Sequence, residues 1–200
     1  NARLALFSRD QWTYRNELKV AHEWLGKHAQ LIGRSREEFV RHNRAKYGLP
    51  LAIWVACEVW DFGTLSTLFN GLREAEQDTI ACQYGVSNGR VFATWLRSLN
   101  YLRNVCAHHS RLWNREFTIT PLLPRNKPAG LAAQLQAGSR KLYNALVILL
   151  HCMDVIAPQH HWRTRLNDLI VRHGVSVAAM DFPANWRNLP IWQGRKPGTP

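Results

Sequence analysis

From Arg90 to Trp113 an apolar residue recurs every three or four positions, and no proline or glycine interrupts the run. A stretch of this length and period forms an amphipathic helix, and its apolar stripe has to be covered by other elements. Elsewhere the apolar residues keep the same helical spacing. No alternating run reads as a strand, and there are no internal repeats or low-complexity tracts. The expected class is all-α.

Helix boundaries follow from local chemistry. Residues 2–31 read as one or two helices on the spacing of Leu18, Ala21, Leu25 and Ala29. Ser35 followed by Glu38 is a capping-box pattern that predicts a helix over 35–47, stopped at Gly48, with Pro50 in the first turn of the next. That next helix is expected to be buried through Ile53, Trp54, Ala56, Val59 and Trp60, and to bend at Asp61-Phe62-Gly63-Thr64, where Thr64 offers a local cap. The pattern resumes to Asn70-Gly71, and a shorter helix spans 75–83. Ser87-Asn88-Gly89 caps the long helix 90–113. Three prolines (Pro121, Pro124, Pro128) make 118–128 a loop. Helices are predicted over 131–156, ended by Pro158, and over 160–172, stopped at Gly174. The Pro- and Trp-rich tail from Asp181 is expected to be irregular and fastened to the body by its aromatics.

Hydrophobic residues make up 46% and charged residues 20%, which places 200 residues among globular chains with one sizeable core or two small ones. Four scattered cysteines without a Cys-x-x-Cys pair suit reduced thiols in the cytoplasm. The strongest apolar run, residues 145–150, is too short to span a bilayer. No signal peptide is evident. The opening Asn-Ala-Arg, without methionine, implies that an N-terminal portion is missing or processed.

The net charge of +12 is unevenly placed. Residues 1–78 carry eleven Lys and Arg against ten Asp and Glu, and residues 79–200 carry fifteen against four. No acidic residue lies between Asp78 and Glu116. A one-sided field of this kind concentrates polyanions and favours a nucleic-acid partner over a generic basic surface.

The basic half contains Leu102-Arg103-Asn104-Val105-Cys106-Ala107-His108-His109-Ser110-Arg111-Leu112-Trp113-Asn114-Arg115. On a regular helix at about 100° per residue, Leu99, Leu102, Cys106, His109 and Trp113 fall within about 40° of Trp95. Arg97, Asn104, His108, Arg111 and Arg115 fall on the opposite face, and Arg103 on the flank. His108 is therefore expected beside Asn104 on the basic face, and His109 on the core stripe as a packed histidine.

Metal-independent RNA cleavage suits this set. A base takes the proton of a ribose 2′-hydroxyl as it attacks phosphorus, an acid protonates the leaving 5′-oxygen, and a cation steadies the phosphorane. Histidine titrates near neutrality, and arginine grips two phosphate oxygens. Zinc on Cys106 and His109 lacks a second ligand pair. A Cys106 nucleophile would sit on the buried stripe. There is no P-loop or dinucleotide fingerprint, and no cofactor is expected. His151, His160 and His161 have no organised partners in the sequence.

With these residues in view, the chain resembles the Abi-like abortive-infection family (the AbiD and AbiF group) of the HEPN superfamily. The likeness lies in Arg103-Asn104-x-x-x-His108 and its extension to Arg115, and in Leu49-Pro50-Leu51-Ala52-Ile53-Trp54, Glu58-Val59, Phe62-Gly63-Thr64-Leu65-Ser66 and 95–102. It covers roughly residues 35–195. It implies a HEPN-like helical bundle over 49–175, after an N-terminal helical part over 1–48 and before a tail over 176–200 packed on the bundle. It also implies a homodimer whose two motifs form a composite endoribonuclease site, a role in phage defence and, for some relatives, a bound noncoding RNA. The family's catalytic pair maps to Arg103 and His108, with Asn104 their polar neighbour and His109 second choice. Arg97, Arg111, Asn114, Arg115, Arg125 and Lys127 are the expected RNA-binding residues. A nonenzymatic protein holding a structured RNA on its basic face is the alternative, and a plain helical interaction protein comes third.

Overall fold

The computed structural model describes residues 17–126, 128 and 130–194, with residues 17–21 described by backbone alone. Nine α-helices and no strand occur among them, so the chain is all-α as its periodicity predicts. The part of the expected first helix before residue 17, and Lys127, lie outside the described residues. Two compact units divide the chain, residues 1–77 and 78–200.

The first unit contains α1 (Glu17–Arg34), α2 (Glu38–Tyr47), α3 (Ile53–Ala56) and α4 (Phe62–Gly71). Helix α5 (Glu74–Gln83) crosses the boundary between the units. Ile32, Val40, Leu51, Val55 and Ala56 form one buried cluster. The Trp24 indole N–H donates to the Thr64 carbonyl oxygen at 3.0 Å and ties α1 to α4. His28 stacks on Trp24, and its Nδ1 accepts from Trp60 Nε1 at 2.9 Å. Burial lowers the His28 pKa.

Several local expectations change here. Helix α2 starts at Glu38 behind Glu37, which makes no side-chain cap, and Ser35 Oγ accepts from the Glu37 N–H at 3.4 Å in the preceding turn. Glu38, now the first helical residue, cannot reach back as a capping-box partner. Pro50 follows a cis peptide bond in a connecting turn and does not start a helix. The apolar segment after it is one helical turn plus a 3-10 turn, Cys57–Val59, and Trp54 is 51% exposed because Val55 and Ala56 face the core. Asp61, not Thr64, caps α4, accepting from the Thr64 N–H at 2.7 Å and its hydroxyl at 2.8 Å.

The second unit is built on α6 (Gly89–Ala107) and the antiparallel α7 (Leu142–Ile156). Asn88 caps α6 by accepting from the Val91 N–H at 3.1 Å, as its sequence position predicts. Phe92, Trp95, Leu99, Leu102 and Val105 form the buried face of α6. The chain then returns along α6 as an extended segment. Phe117 is buried with its ring edge-on to Tyr101 at 5.2 Å. Ser98 Oγ donates to the Ile119 carbonyl oxygen at 3.3 Å and Trp95 Nε1 to that of Leu122 at 2.8 Å, while the Leu122 N–H donates to Thr94 Oγ1 at 2.9 Å. These bonds satisfy backbone groups that the prolines keep out of any helix.

The helix expected over 131–156 begins only at Leu142. A 3-10 turn covers Ala132–Gln134, Gly138 takes φ 75°, and the Asn144 carboxamide holds the backbone of Gln136 through both of its atoms at 2.8 Å. Helix α8 (Trp162–Arg172) is followed by the tail, which ends in α9 (Pro190–Gln193). Tail residues Phe182 and Trp192 pack on Tyr143, as the aromatic content predicts. Buried Gln134 anchors both sides: its carbonyl accepts from Tyr143 Oη at 2.8 Å, and its Oε1 accepts from the Ile191 N–H at 2.7 Å.

Two histidines read as unpartnered have partners. His151 is buried, with Nε2 2.8 Å from the Tyr84 carbonyl oxygen and its ring edge-on to Trp95, and burial lowers its pKa. His160 Nε2 lies 2.9 Å from Asp154 Oδ1, and Arg163 pairs with the same carboxylate. Such partners come from other helices or across a loop, so local sequence gave no sign of them. His161 is exposed at the start of α8.

Candidate active site

The His/Arg stretch straddles the end of α6 rather than lying within it. The helix stops at Ala107, six residues before Trp113. His108 still closes a helical bond, its N–H donating to the Asn104 carbonyl oxygen at 3.0 Å. His109 then takes a left-handed conformation with φ 51°. Its N–H donates to the Cys106 carbonyl oxygen at 3.0 Å, and the Ser110 N–H to that of Val105 at 2.9 Å. These are the two bonds of a Schellman ending, with His109 at the left-handed position.

Helices α5 and α8 end in the same pair of bonds, but with glycine at that position: Gly85 with φ 70° and Gly174 with φ 56°. Of these three α-helices only α6 has a side chain there, and the 3-10 turn Ala178–Met180 closes in the same way on Asp181 with φ 63°. A non-glycine residue there stores backbone strain, a feature concentrated at functional sites.

This ending corrects the regular-helix geometry. His109 and Cys106 are exposed and do not belong to a core stripe. Trp113 is 44% exposed, and its indole N–H donates to the Ser176 carbonyl oxygen at 3.2 Å. In the last turn of α6 only Val105 is buried. The face relation between Asn104 and His108 survives, because the helical bond between them is made before the chain turns.

Arg103 is exposed, and its Nη1 donates to the Asn104 side-chain oxygen at 3.0 Å, so arginine and amide are held as a pair one turn before the exposed His108 ring. The Asn104 amide nitrogen keeps its donors. Arg111 is exposed. Arg115 is half-buried, and its Nε donates to Tyr101 Oη at 3.3 Å. Asn114 is exposed with φ 51°, and its side-chain oxygen accepts from Lys141 Nζ at 2.8 Å. Arg97 is exposed two turns upstream of Asn104. Arg125 is exposed in the return segment, near the other end of α6.

Two neighbours escape sequence reasoning. Tyr101 lies three residues before Asn104 on the same side of α6, a signal that helical spacing offered. The hydrogen bond from Arg115, then one with Thr118, lowers its pKa. Lys141 gave no signal, since only the packing of α7 against α6 brings it to Asn114. Among the described residues no three His, Cys, Asp or Glu side chains gather closely enough to hold a metal ion. Among them, too, no helix is long and apolar enough to cross a membrane.

The arrangement presents a fixed cation, an amide donor and a titratable imidazole on an open helix end that a polymer can reach. The family model described as Abi-like protein matches residues 3–114, more than half of the chain and the whole of Arg103-Asn104-x-x-x-His108. The chain belongs to the Abi-like family. The match begins well upstream of residue 35, where the sequence resemblance starts, and ends before the return segment, α7, α8 and the tail. No curated protein and no solved structure matches the Abi-like chain. Membership suggests a role in abortive infection, a form of phage defence.

Proposed function

We propose that this Abi-like chain is a HEPN-type, metal-independent endoribonuclease, acting in the bacterial cytoplasm as a homodimer whose two Arg103-Asn104-x-x-x-His108 motifs share one scissile phosphate. The observation that carries the reading is the Arg103–Asn104 pair held one turn from the exposed His108 imidazole.

In this scheme one His108 takes the proton from a ribose 2′-hydroxyl as that oxygen attacks phosphorus. The second His108 gives a proton to the departing 5′-oxygen. The P–O5′ bond breaks as the P–O2′ bond forms, leaving a 2′,3′-cyclic phosphate and a free 5′-hydroxyl. Arg103 meets the charge of the phosphorane, and Asn104 orients a phosphate oxygen. Arg97, Arg111, Asn114 and Arg115 hold the flanking strand.

The test is incubation of the full chain with RNA in the presence of a chelator. Fragments ending in cyclic phosphate are expected, and His108→Ala should reduce the rate by about a hundredfold or more, the usual contribution of a positioned acid or base. Unchanged cleavage by His108→Ala refutes the assignment. Tight, salt-sensitive RNA binding without any cleavage points to the nonenzymatic RNA-binding reading, which the excess of fifteen basic over four acidic residues in 79–200 also supports.

A further inference from the structure

The end of α6 remote from His108 borders a second basic feature. A cleft of about 710 Å³ opens there, lined among others by Arg90, Arg125, Asn88, Asn126, Val91 and Leu122. Its volume lies in the range of ligand-binding clefts. Arg90 and Arg125 are 35 residues apart in sequence and are both exposed. The return segment brings them together: the bonds of Trp95 and Thr94 to Leu122 carry the chain back to where α6 began.

The helix end as such binds nothing here. The Gly89 N–H donates to Asp78 Oδ1 at 2.6 Å and the Val91 N–H to Asn88 Oδ1 at 3.1 Å. What marks the place is the sign of its lining: among the described residues that line the cleft two are arginines and none is acidic.

The cleft also has the chemistry of an unpaired nucleotide site. Two guanidinium groups can take phosphate oxygens, while Asn88 and Asn126 offer amide edges and Val91 and Leu122 an apolar wall for a base. Arg90, Arg97 and Asn104 follow one another at seven-residue intervals, so they share one side of α6. From Arg90 to Asn104 is about 21 Å at 1.5 Å per residue. A stacked strand with about 3.4 Å per nucleotide crosses that distance in roughly six nucleotides.

We infer that this cleft is a second binding site for single-stranded RNA, holding the strand about six nucleotides from the phosphate at His108, with Arg97 between the two sites. The inference rests on the ribonuclease reading for its direction, but its test does not need cleavage.

The full chain carrying His108→Ala is titrated with a labelled single-stranded RNA of about twelve nucleotides, long enough to reach both ends of α6. Adding Arg90→Gln and Arg125→Gln should weaken binding about tenfold, the scale of losing charged hydrogen bonds. The slope of log affinity against log salt should fall by about 1.4, or about 0.7 for each phosphate that no longer meets an arginine. Arg125→Gln alone, in an exposed loop, should lower the slope by about 0.7. Unchanged affinity and slope overturn the second site. An equal loss with duplex DNA of the same length also overturns it, by reducing it to a generic polyanion surface. If the unsubstituted chain cleaves RNA through His108 while the arginine pair is silent, only this inference falls. If the parent binds no RNA at all, the ribonuclease reading falls with it.

Discussion

Replacing His109 with glycine should stabilise this protein, although it removes a side chain from the most distinctive stretch of the sequence. His109 occupies the left-handed position of a Schellman ending with φ 51°, where Gly85 and Gly174 serve at the ends of α5 and α8. A left-handed conformation costs an L-residue about 1–2 kcal/mol. Glycine removes that cost but loses about 0.4–1 kcal/mol through its freer unfolded chain. The balance favours His109→Gly by about 0.5–1 kcal/mol, because His109 is exposed and its ring is no part of the core. For a chain of this length, that raises the melting temperature by about 1–4 °C. Gly174→Ala provides the mirror experiment. A Cβ there meets nothing within 4 Å, so the loss should be purely conformational, of similar size and opposite sign. Thermal unfolding followed by circular dichroism measures both. A lower melting temperature for His109→Gly would show that the histidine ring contributes more than its backbone strain costs, and a higher one for Gly174→Ala would remove the premise itself.

Acidification should weaken the fold through two histidines. Burial lowers the pKa of both His28 and His151 below the ordinary value of 6.5, so the unfolded chain takes up the protons first. Their contribution is complete above about pH 6.5 and is lost as pH falls through the lowered folded values. For His28 the loss includes the bond from Trp60 Nε1, which needs an unprotonated Nδ1. Urea midpoints that hold constant from pH 7.5 to 5 would contradict this. Tyr143→Phe leaves the buried Gln134 carbonyl without its 2.8 Å donor and should cost about 1–3 kcal/mol, read as a lower urea midpoint; a shift near zero would mean that the bond contributes nothing net.

Much of the fold was legible because its signals are local. Gly48 and Gly174 end their helices and Asn88 starts α6, each through bonds within a few residues. The prolines of 118–128 excluded a helix for an equally local reason. The tail aromatics announced their burial by type. Local patterns failed where a competing contact was decisive. Ser35 and Glu38 match a capping box, but the helix begins too late to use it. Helical spacing continued across 131–141, where Gly138 and the Asn144–Gln136 pair hold a loop instead.

The candidate site shows the same division. The sequence alone determined that Asn104 and His108 share one face with Arg103 on its flank, since helical bonds persist as far as the His108 N–H. It also determined the basic surroundings and the Abi-like membership. Only the tertiary structure decided where α6 ends, because a left-handed histidine carries no compositional mark of the kind glycine does. That turn moved His109 and Trp113 away from the core. Packing alone brought Lys141 to Asn114 and Arg125 to the cleft of Arg90. Those contacts join residues 27 and 35 positions apart, beyond the reach of any periodicity: the first exists because α7 packs against α6, the second because the backbone of the return segment finds its hydrogen bonds on Trp95, Ser98 and Thr94.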